Sequence, residues 1–431
     1  MDAELKLVED ELVHCIKCGF CRAVCPVFQS LGIESTVARG KMGLIDAVAE
    51  GAEVTEGFAE KMSLCLMCKA CVENCPSGVK VDKAVMAARA LSNRKKGLHW
   101  AKKLIFRGVL KPKRIMPLGM GLGAAFQGLF IKAADRPGAY SLRVPVVLDK
   151  RRVIPKLARR TLRSRAAAQV KTATPTSRKV AFFTGCLLNY VYADMGEAIL
   201  QALGKLGVQV VVPKEQQCCG LPPLVNGDMQ TAVQLAASNV RLFAQALEKE
   251  GAEAILVGCA SCGSCMKHEW AETLTTAGPE YAQVAEVAKT IAPRIYDVSE
   301  YVVDILDIEH MGLTLKPQHR KVTYHDPCHL NRGQGVVDQP RRILKLIPGV
   351  EFVEMNDPGR CCGSGGSFSL IHYDLSIDIN KVKADDIAGT GANAVVTGCP
   401  GCTMHMADGL HRQGFNQEVL HTFQLLNEAL G

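Results

Sequence analysis

The chain has 431 residues, 48% of them apolar, a mean hydropathy of +0.08 and a formal net charge of +8. That length allows two or three domains with cores of their own, and that apolar fraction excludes a disordered chain. The charge is uneven: residues 94–179 hold 23 Lys and Arg against two acids, so the rest of the chain is net acidic.

Nineteen cysteines are the outlying count. Met1-Asp2-Ala3-Glu4 opens an acidic stretch with no basic n-region and no apolar core, so the expected compartment is the reducing cytoplasm. There, clustered cysteines are metal ligands or redox groups rather than disulfides. Aromatic residues make up only 5% of the chain, too few to give the basic region stacking platforms for bases. Nucleic acid is therefore not an expected partner, and the basic region is read as a docking surface.

Residues 1–93 carry Cys15-x-x-Cys18-x-x-Cys21-x-x-x-Cys25-Pro26 and then Cys65-x-x-Cys68-x-x-Cys71-x-x-x-Cys75-Pro76. This is the two-cluster ferredoxin run written twice. Three thiolates two residues apart wrap three corners of one cubane, and the cysteine before proline points away to the other. The expectation is one [4Fe–4S] cluster on Cys15, Cys18, Cys21 and Cys75, and a second on Cys65, Cys68, Cys71 and Cys25. Paired zinc sites also use C-x-x-C but need neither the third cysteine nor the Cys-Pro end. The 39 residues between Cys25 and Cys65 exceed a compact ferredoxin and predict helices over 37–50 and 58–64. Val81, Val85, Ala88 and Leu91 predict another.

Residues 94–179 contain no cysteine. Seventeen uncharged residues, Ile115–Ile131, lie between Lys111, Lys113, Arg114 and Lys132, Arg136. Five of the seventeen are Gly or Pro, which argues against a membrane-spanning helix. Such a segment suits either an anionic membrane surface or packing against other domains or a partner. The run 150–165 is read either as docking surface or as solvated face.

Residues 180–431 repeat themselves. Strand-like runs end at Cys186, Cys259, Cys328 and Cys399, and two more, near 208–212 and 350–354, lead to Cys218-Cys219-Gly220 and Cys361-Cys362-Gly363. Each half reads strand–Cys, helix, strand–Cys-Cys-Gly, helix, strand–Cys-x-x-Cys. The spacers are 31 and 39 residues in one half and 32 and 36 in the other, each suiting a crossover helix between parallel strands. Cysteines at the carboxyl ends of parallel strands converge on one sheet edge, where such sheets place ligands. The expected ligands are Cys186, Cys218, Cys219, Cys259 and Cys262, then Cys328, Cys361, Cys362, Cys399 and Cys402. Glycines 185, 220, 258, 363 and 398 are expected to let backbone approach a bulky group. Cys265 has no counterpart cysteine and is read as a packing thiol; His325, Asp326 and His329 are read as either structural or tuning residues.

No dinucleotide fingerprint or P-loop is present; Gly363-Ser-Gly-Gly366 follows a cysteine doublet and reads as a cluster loop. One-electron carriers without a flavin or nicotinamide site imply a flavoprotein partner for hydride chemistry, and no catalytic residue is assigned.

The phrases Cys65-Leu-Met-Cys68-Lys-Ala-Cys71-Val-Glu-Asn-Cys75-Pro-Ser-Gly, Arg39-Gly40-Lys41 and Cys361-Cys362-Gly363-Ser-Gly-Gly resemble the glycolate and lactate oxidase iron–sulfur subunits. The N-terminal region is similar to the α-helical ferredoxin domain of succinate dehydrogenase-type subunits, and the doublets resemble the cysteine-rich "CCG" domain of heterodisulfide reductases. The resemblance implies an α+β multidomain fold: an α-helical ferredoxin domain over 1–93, a basic linker over 94–179, and duplicated Rossmann-like α/β CCG repeats over 180–310 and 311–431. It implies one or two further [4Fe–4S] clusters in the repeats, of cubane or non-cubane type, with complete five-cysteine sets where glycolate subunits often lack one. It also implies an FAD-containing 2-hydroxy-acid (glycolate or lactate) dehydrogenase partner and a quinone or membrane electron acceptor. The expected role is an electron-transfer subunit, cytoplasmic or peripheral on the inner face of the membrane. The alternatives are a heterodisulfide-reductase-like subunit reducing a disulfide at its CCG clusters, and a non-catalytic scaffold.

Overall fold

The computed structural model describes residues 1–134, 138–143, 149–169 and 178–431. Arg136, one of the cations flanking the uncharged segment, lies outside the described residues.

The N-terminal part is helical. Predicted helices appear at Ala38–Ala49, Glu56–Ser63 and Val81–Lys96. Met42, Ile45, Phe58, Met62, Val85 and Leu91 turn inward at helical spacing to make one core. Thr55 caps the second helix through its hydroxyl, which accepts from Phe58 N at 3.1 Å.

The described residues between 104 and 166 run over the rest as a strap. Arg107 pairs with Asp228 at 3.0 Å, tying the segment Leu104–Leu110 to the first repeat. Helix Ile115–Phe130 follows, with Ala124 its one buried residue. A small antiparallel sheet, β1 (Ile131–Ala133), β2 (Tyr140–Leu142) and β3 (Val153–Ile154), then reaches the second repeat, where Val153 N donates to Asp408 at 2.9 Å. In the basic run over 150–165, Lys150, Arg151, Lys156, Arg159 and Arg160 are exposed, and three arginines are tied to neighbouring groups. Arg151 pairs with Asp149 and Asp374, Arg165 with Asp194 and Glu197, and Arg152 is buried over the Tyr373 ring. Helix Leu162–Gln169 packs Leu162 onto Gly196, where a larger residue would collide.

Two four-stranded parallel sheets form the duplicated half. Strands β4 (Arg178–Phe183), β5 (Val208–Val211), β6 (Ala254–Val257) and β7 (Ile295–Asp297) take the order β5-β4-β6-β7. Strands β8 (Arg320–Tyr324), β9 (Val350–Phe352), β10 (Ala394–Thr397) and β11 (Glu418–His421) take the equivalent order β9-β8-β10-β11. The central registers correspond too, Val180 facing Ala254 and Val322 facing Ala394. Buried runs such as Val180–Phe183 and Val395–Thr397 have helices on both faces, as parallel sheets require. The sequence shows three strands per repeat; the fourth in each is only three or four residues long and carries no periodicity that distinguishes it from a loop.

Candidate iron–sulfur sites

Among the described residues, four with the left-handed φ that disfavours side chains occur outside glycine: Lys17, Met67, Lys69 and Asp307. Three of them sit inside the C-x-x-C-x-x-C loops. Lys17 and Met67 are equivalent, two residues past Cys15 and Cys65, and Lys69 stands where the first loop has Gly19, itself at φ +92°. Each loop thus turns twice through the left-handed region, once at a glycine in the first loop and both times at side-chain-bearing residues in the second, which curls its thiols around a common centre.

The centres are real spaces. One cavity of about 30 Å³ is lined by Cys15, Cys18, Cys21 and Cys75, and also by Cys71. A second, of about 40 Å³, is lined by Cys25, Cys65, Cys68 and Cys71. Each Cys-Pro cysteine therefore lies with the other motif's triplet. Burial pushes the Cys25 thiol up to about 11 and Cys71 well above its ordinary value. Four sulfurs in a dry site cannot ionise together without a bound cation, which is the chemistry an iron cluster supplies. The donor set fits that group.

Three basic residues support these loops. Arg39 Nη1 donates to Lys17 O at 3.4 Å while its Nε pairs with Glu34 at 2.7 Å. Lys41 is buried, donates to Thr36 O and faces Cys25 and Cys65. Gly40 between them leaves no room for a Cβ against Glu34 O. The Arg-Gly-Lys phrase therefore has a structural meaning that its spacing does not reveal. Arg89, missed in the sequence, donates to the carbonyls of Met62, Cys65 and Val225, at 3.0, 2.9 and 2.6 Å, clamping the second loop to the first repeat. Its sole sequence signal is a charge on the inward face of an amphipathic helix.

In the repeats, each strand delivers its cysteine at its carboxyl end. Cys186 follows β4 and Cys328 follows β8 into a helix, and Cys259 and Cys399 are the N-caps after β6 and β10. The doublets are held by buried asparagines: Asn239 donates to Cys218 O at 2.9 Å and Asn380 to Cys362 O at 2.7 Å. All ten cysteines line one cavity of about 200 Å³ between the two repeats and the helical domain. Thiols neighbour one another along the cavity in the order Cys186, Cys218, Cys219, Cys262 and Cys259. The line crosses to Cys399 and continues through Cys402, Cys362 and Cys361 to Cys328. Cys361 also meets Cys68 of the helical domain. All nineteen cysteines are free thiols.

Among the glycines, Gly185 faces the site, a Cβ there lying 3.2 Å from Cys262 Sγ. At 258 and 398 a Cβ would instead press on Ile199 and Leu330 of the core, and at 363 on Ser376 O, so these three serve close packing. At 220 a Cβ would meet Ala232 O only at van der Waals distance, and the φ of +94° is what calls for glycine. Cys265 does not line the cavity; its thiol donates to Cys219 O at 3.5 Å. Asp326 is structural, forked by Arg341 at 2.8 and 2.9 Å. His329 lines the cavity, 3.4 Å from Cys328 Sγ. His325 is fully buried with both ring nitrogens unpartnered, and one lies within 4.8 Å of the Cys362 and Cys402 sulfurs.

Two thiol-lined chambers beside a duplicated ten-thiol cavity define the class: an iron–sulfur electron-transfer protein. A 4Fe–4S dicluster domain matches residues 11–79, and a cysteine-rich domain matches 180–267 and again 322–407. The chain is 31% identical to the probable glycolate oxidase iron–sulfur subunit of Bacillus subtilis, over 99% of this chain and 96% of that one. It is likewise 31% identical to one component of the fumarate reductase (CoM/CoB) of Methanothermobacter marburgensis, covering 97% and 72%. A component of the dihydromethanophenazine:CoB–CoM heterodisulfide reductase of Methanosarcina barkeri matches at 31% over 58% of this chain and 59% of that one. The chain belongs to the glycolate oxidase iron–sulfur subunit family.

Proposed function

We propose that this chain is the iron–sulfur subunit of a flavin-dependent 2-hydroxy-acid (glycolate or lactate) dehydrogenase complex, passing electrons from an FAD-containing partner toward a quinone or other membrane carrier. The observation that carries the reading is the Cys68–Cys361 contact, which joins the helical domain to the second repeat. Cys15, Cys18, Cys21 and Cys75 would hold one [4Fe–4S] cluster, and Cys65, Cys68, Cys71 and Cys25 the other. The two five-cysteine sets would hold one further cluster each. Bound clusters supply one-electron redox steps; the chain fixes their order, excludes water and aligns them through Arg39, Lys41 and Arg89.

The membrane end of the reading is supported by helix Ile115–Phe130. Leu118, Leu122, Phe126 and Leu129 are all more than half exposed, at near-helical spacing, between Lys111, Lys113, Arg114 and Lys132. No helix among the described residues is long and apolar enough to cross a membrane.

The deciding experiment mixes the anaerobically purified chain with its FAD-containing partner and follows cluster reduction by EPR on adding glycolate or lactate. Roughly 16 iron per chain and substrate-dependent reduction are expected; iron-replete protein that stays oxidised with both acids sinks the proposal.

A second reading, reduction of a disulfide between the repeats, is favoured by one observation: both cysteine sets line a single shared cavity. Turnover of a disulfide by this chain alone, with a reduced viologen as donor, would select it.

A further inference from the structure

The two repeats present equivalent cysteines to different surroundings. In the second, Cys361 lies against Cys68, and Arg332, on the helix that Cys328 opens, pairs with Glu73 at 2.6 Å; the helical domain covers this corner. In the first, the equivalent Cys186 and Cys218 also line a separate cavity of about 420 Å³, outside the ten-thiol cavity.

Four cations and one acid line that cavity. Glu215 is matched by Lys113 at 3.2 Å. Arg114 and Lys214 are exposed, and no carboxylate pairs with either among the described residues. Arg163 is more unusual. Its Nη1 donates to the carbonyls of Lys214 and Gln216, both at 2.8 Å, and its Nη2 to the Tyr190 hydroxyl at 3.0 Å. These bonds fix the guanidinium but leave its charge unbalanced, and burial lowers its pKa. A half-buried charge held by neutral acceptors is an anchor for an anion.

Part of the lining is apolar: Leu110, Pro112, Met116 and Pro117, from the end of the segment Leu104–Leu110 to the first turn of helix Ile115–Phe130. Cations beside a hydrocarbon lining suit an anion with a carbon body better than an inorganic one. Arg163 has already committed its fork, so it offers charge rather than the bidentate grip that phosphate prefers.

We propose that this cavity binds a small organic carboxylate, its anionic end among Arg114, Arg163 and Lys214, its body on Leu110, Pro112, Met116 and Pro117, beside Cys186 and Cys218. The first repeat is then where a small molecule meets the chain, as the second is where the helical domain does. The binding stands independently of the electron-transfer reading.

The test is calorimetric titration of the iron-replete chain with glutarate, neutral glutaramide and inorganic phosphate at constant ionic strength. Glutarate binds saturably, and glutaramide and phosphate bind more weakly. Arg114→Gln/Lys214→Gln, both exposed, keeps full iron content and loses about tenfold or more in glutarate affinity. Lys249→Gln, an exposed control on the far end of helix Met229–Glu248, keeps it. No saturable glutarate binding, equal binding of glutaramide or phosphate, or an unweakened double variant overturns the proposal, whatever the outcome with the flavoprotein.

Discussion

The two repeats have the same strand order, the same central register and the same five cysteines, yet differ in what fills the equivalent places. Phe183 of the first stands where His325 stands in the second. Cys265 corresponds to His405, Thr184 to Asp326, and Asp297 to His421. The first repeat surrounds its thiols with aromatic rings, Phe183 packing against Phe243 and Trp270, whose indole donates to Cys219 O at 2.7 Å. The second surrounds them with imidazoles and a buried ion pair. A duplicated scaffold fixes where ligands go, while the residues behind them set charge and polarity independently in each half.

The sharpest way to break the comparison is at the domain contact. Cys361→Ser should remove about four iron per chain and slow reduction of the first repeat by orders of magnitude. Cys218→Ser should remove similar iron yet leave transfer from the helical domain to the second repeat intact. Rapid-freeze EPR on both variants reads the difference; equal effects would mean the repeats are not wired in series.

The ion pair gives the next largest effect. Arg341 forks Asp326, which is 3% exposed, and reaches Glu354 at 2.7 and 2.9 Å. Arg341→Met strands a buried carboxylate and should cost about 3–4 kcal/mol in chemical unfolding. At the equivalent place, Gln216 Oε1 accepts from Thr184 N at 2.7 Å, and Gln216→Leu should cost about 1–2 kcal/mol.

Asp297 and His421 cap equivalent helices and titrate in opposite senses. Asp297 accepts from Ser299 N at 2.8 Å, and burial raises its carboxyl to about 7; His421 accepts from Phe423 N at 3.2 Å, and burial lowers its imidazole to about 4. The folded state holds the Asp297 proton, so that contribution is lost as pH rises from about 4 through 7. It refuses the His421 proton, so that contribution is lost as pH falls from 6.5 through about 4. The two slopes offset between those values. Asp297→Asn keeps a cap and should leave stability rising with pH over that window, whereas His421→Asn should leave it falling, each by about 2 kcal/mol. Unfolding curves at successive pH values that match the parent in both variants would refute the pairing.

The smallest effect is expected from His325→Phe, which gives the second repeat the first repeat's ring. Stability should change by under about 1 kcal/mol, while the EPR signal of the second repeat moves toward that of the first. An unchanged signal would show that the imidazole does not sense the site.

Both thiol arrays and the parallel order of three strands per repeat were legible, because ligand spacing and strand–Cys endings are local. The unread parts depend on contacts between distant segments. Arg89 acts through carbonyls 24 to 136 residues away. The Cys68–Cys361 contact joins residues no spacing relates. The strap's cations looked free in sequence because their partners, Asp374 and Asp194 among them, come from the repeats.

Cys259 neighbours Cys399, its own equivalent, in the shared cavity, and Ala260 N donates to Gly398 O at 3.1 Å. A junction in which a residue meets its counterpart is the geometry of an isologous dimer about a two-fold axis. In a true homodimer every substitution on that axis appears twice, so both halves must tolerate it. Joining the halves in one chain lifts the restriction: Phe183 can face one thiol set while His325 faces the other, and a symmetric ancestor becomes a molecule with direction.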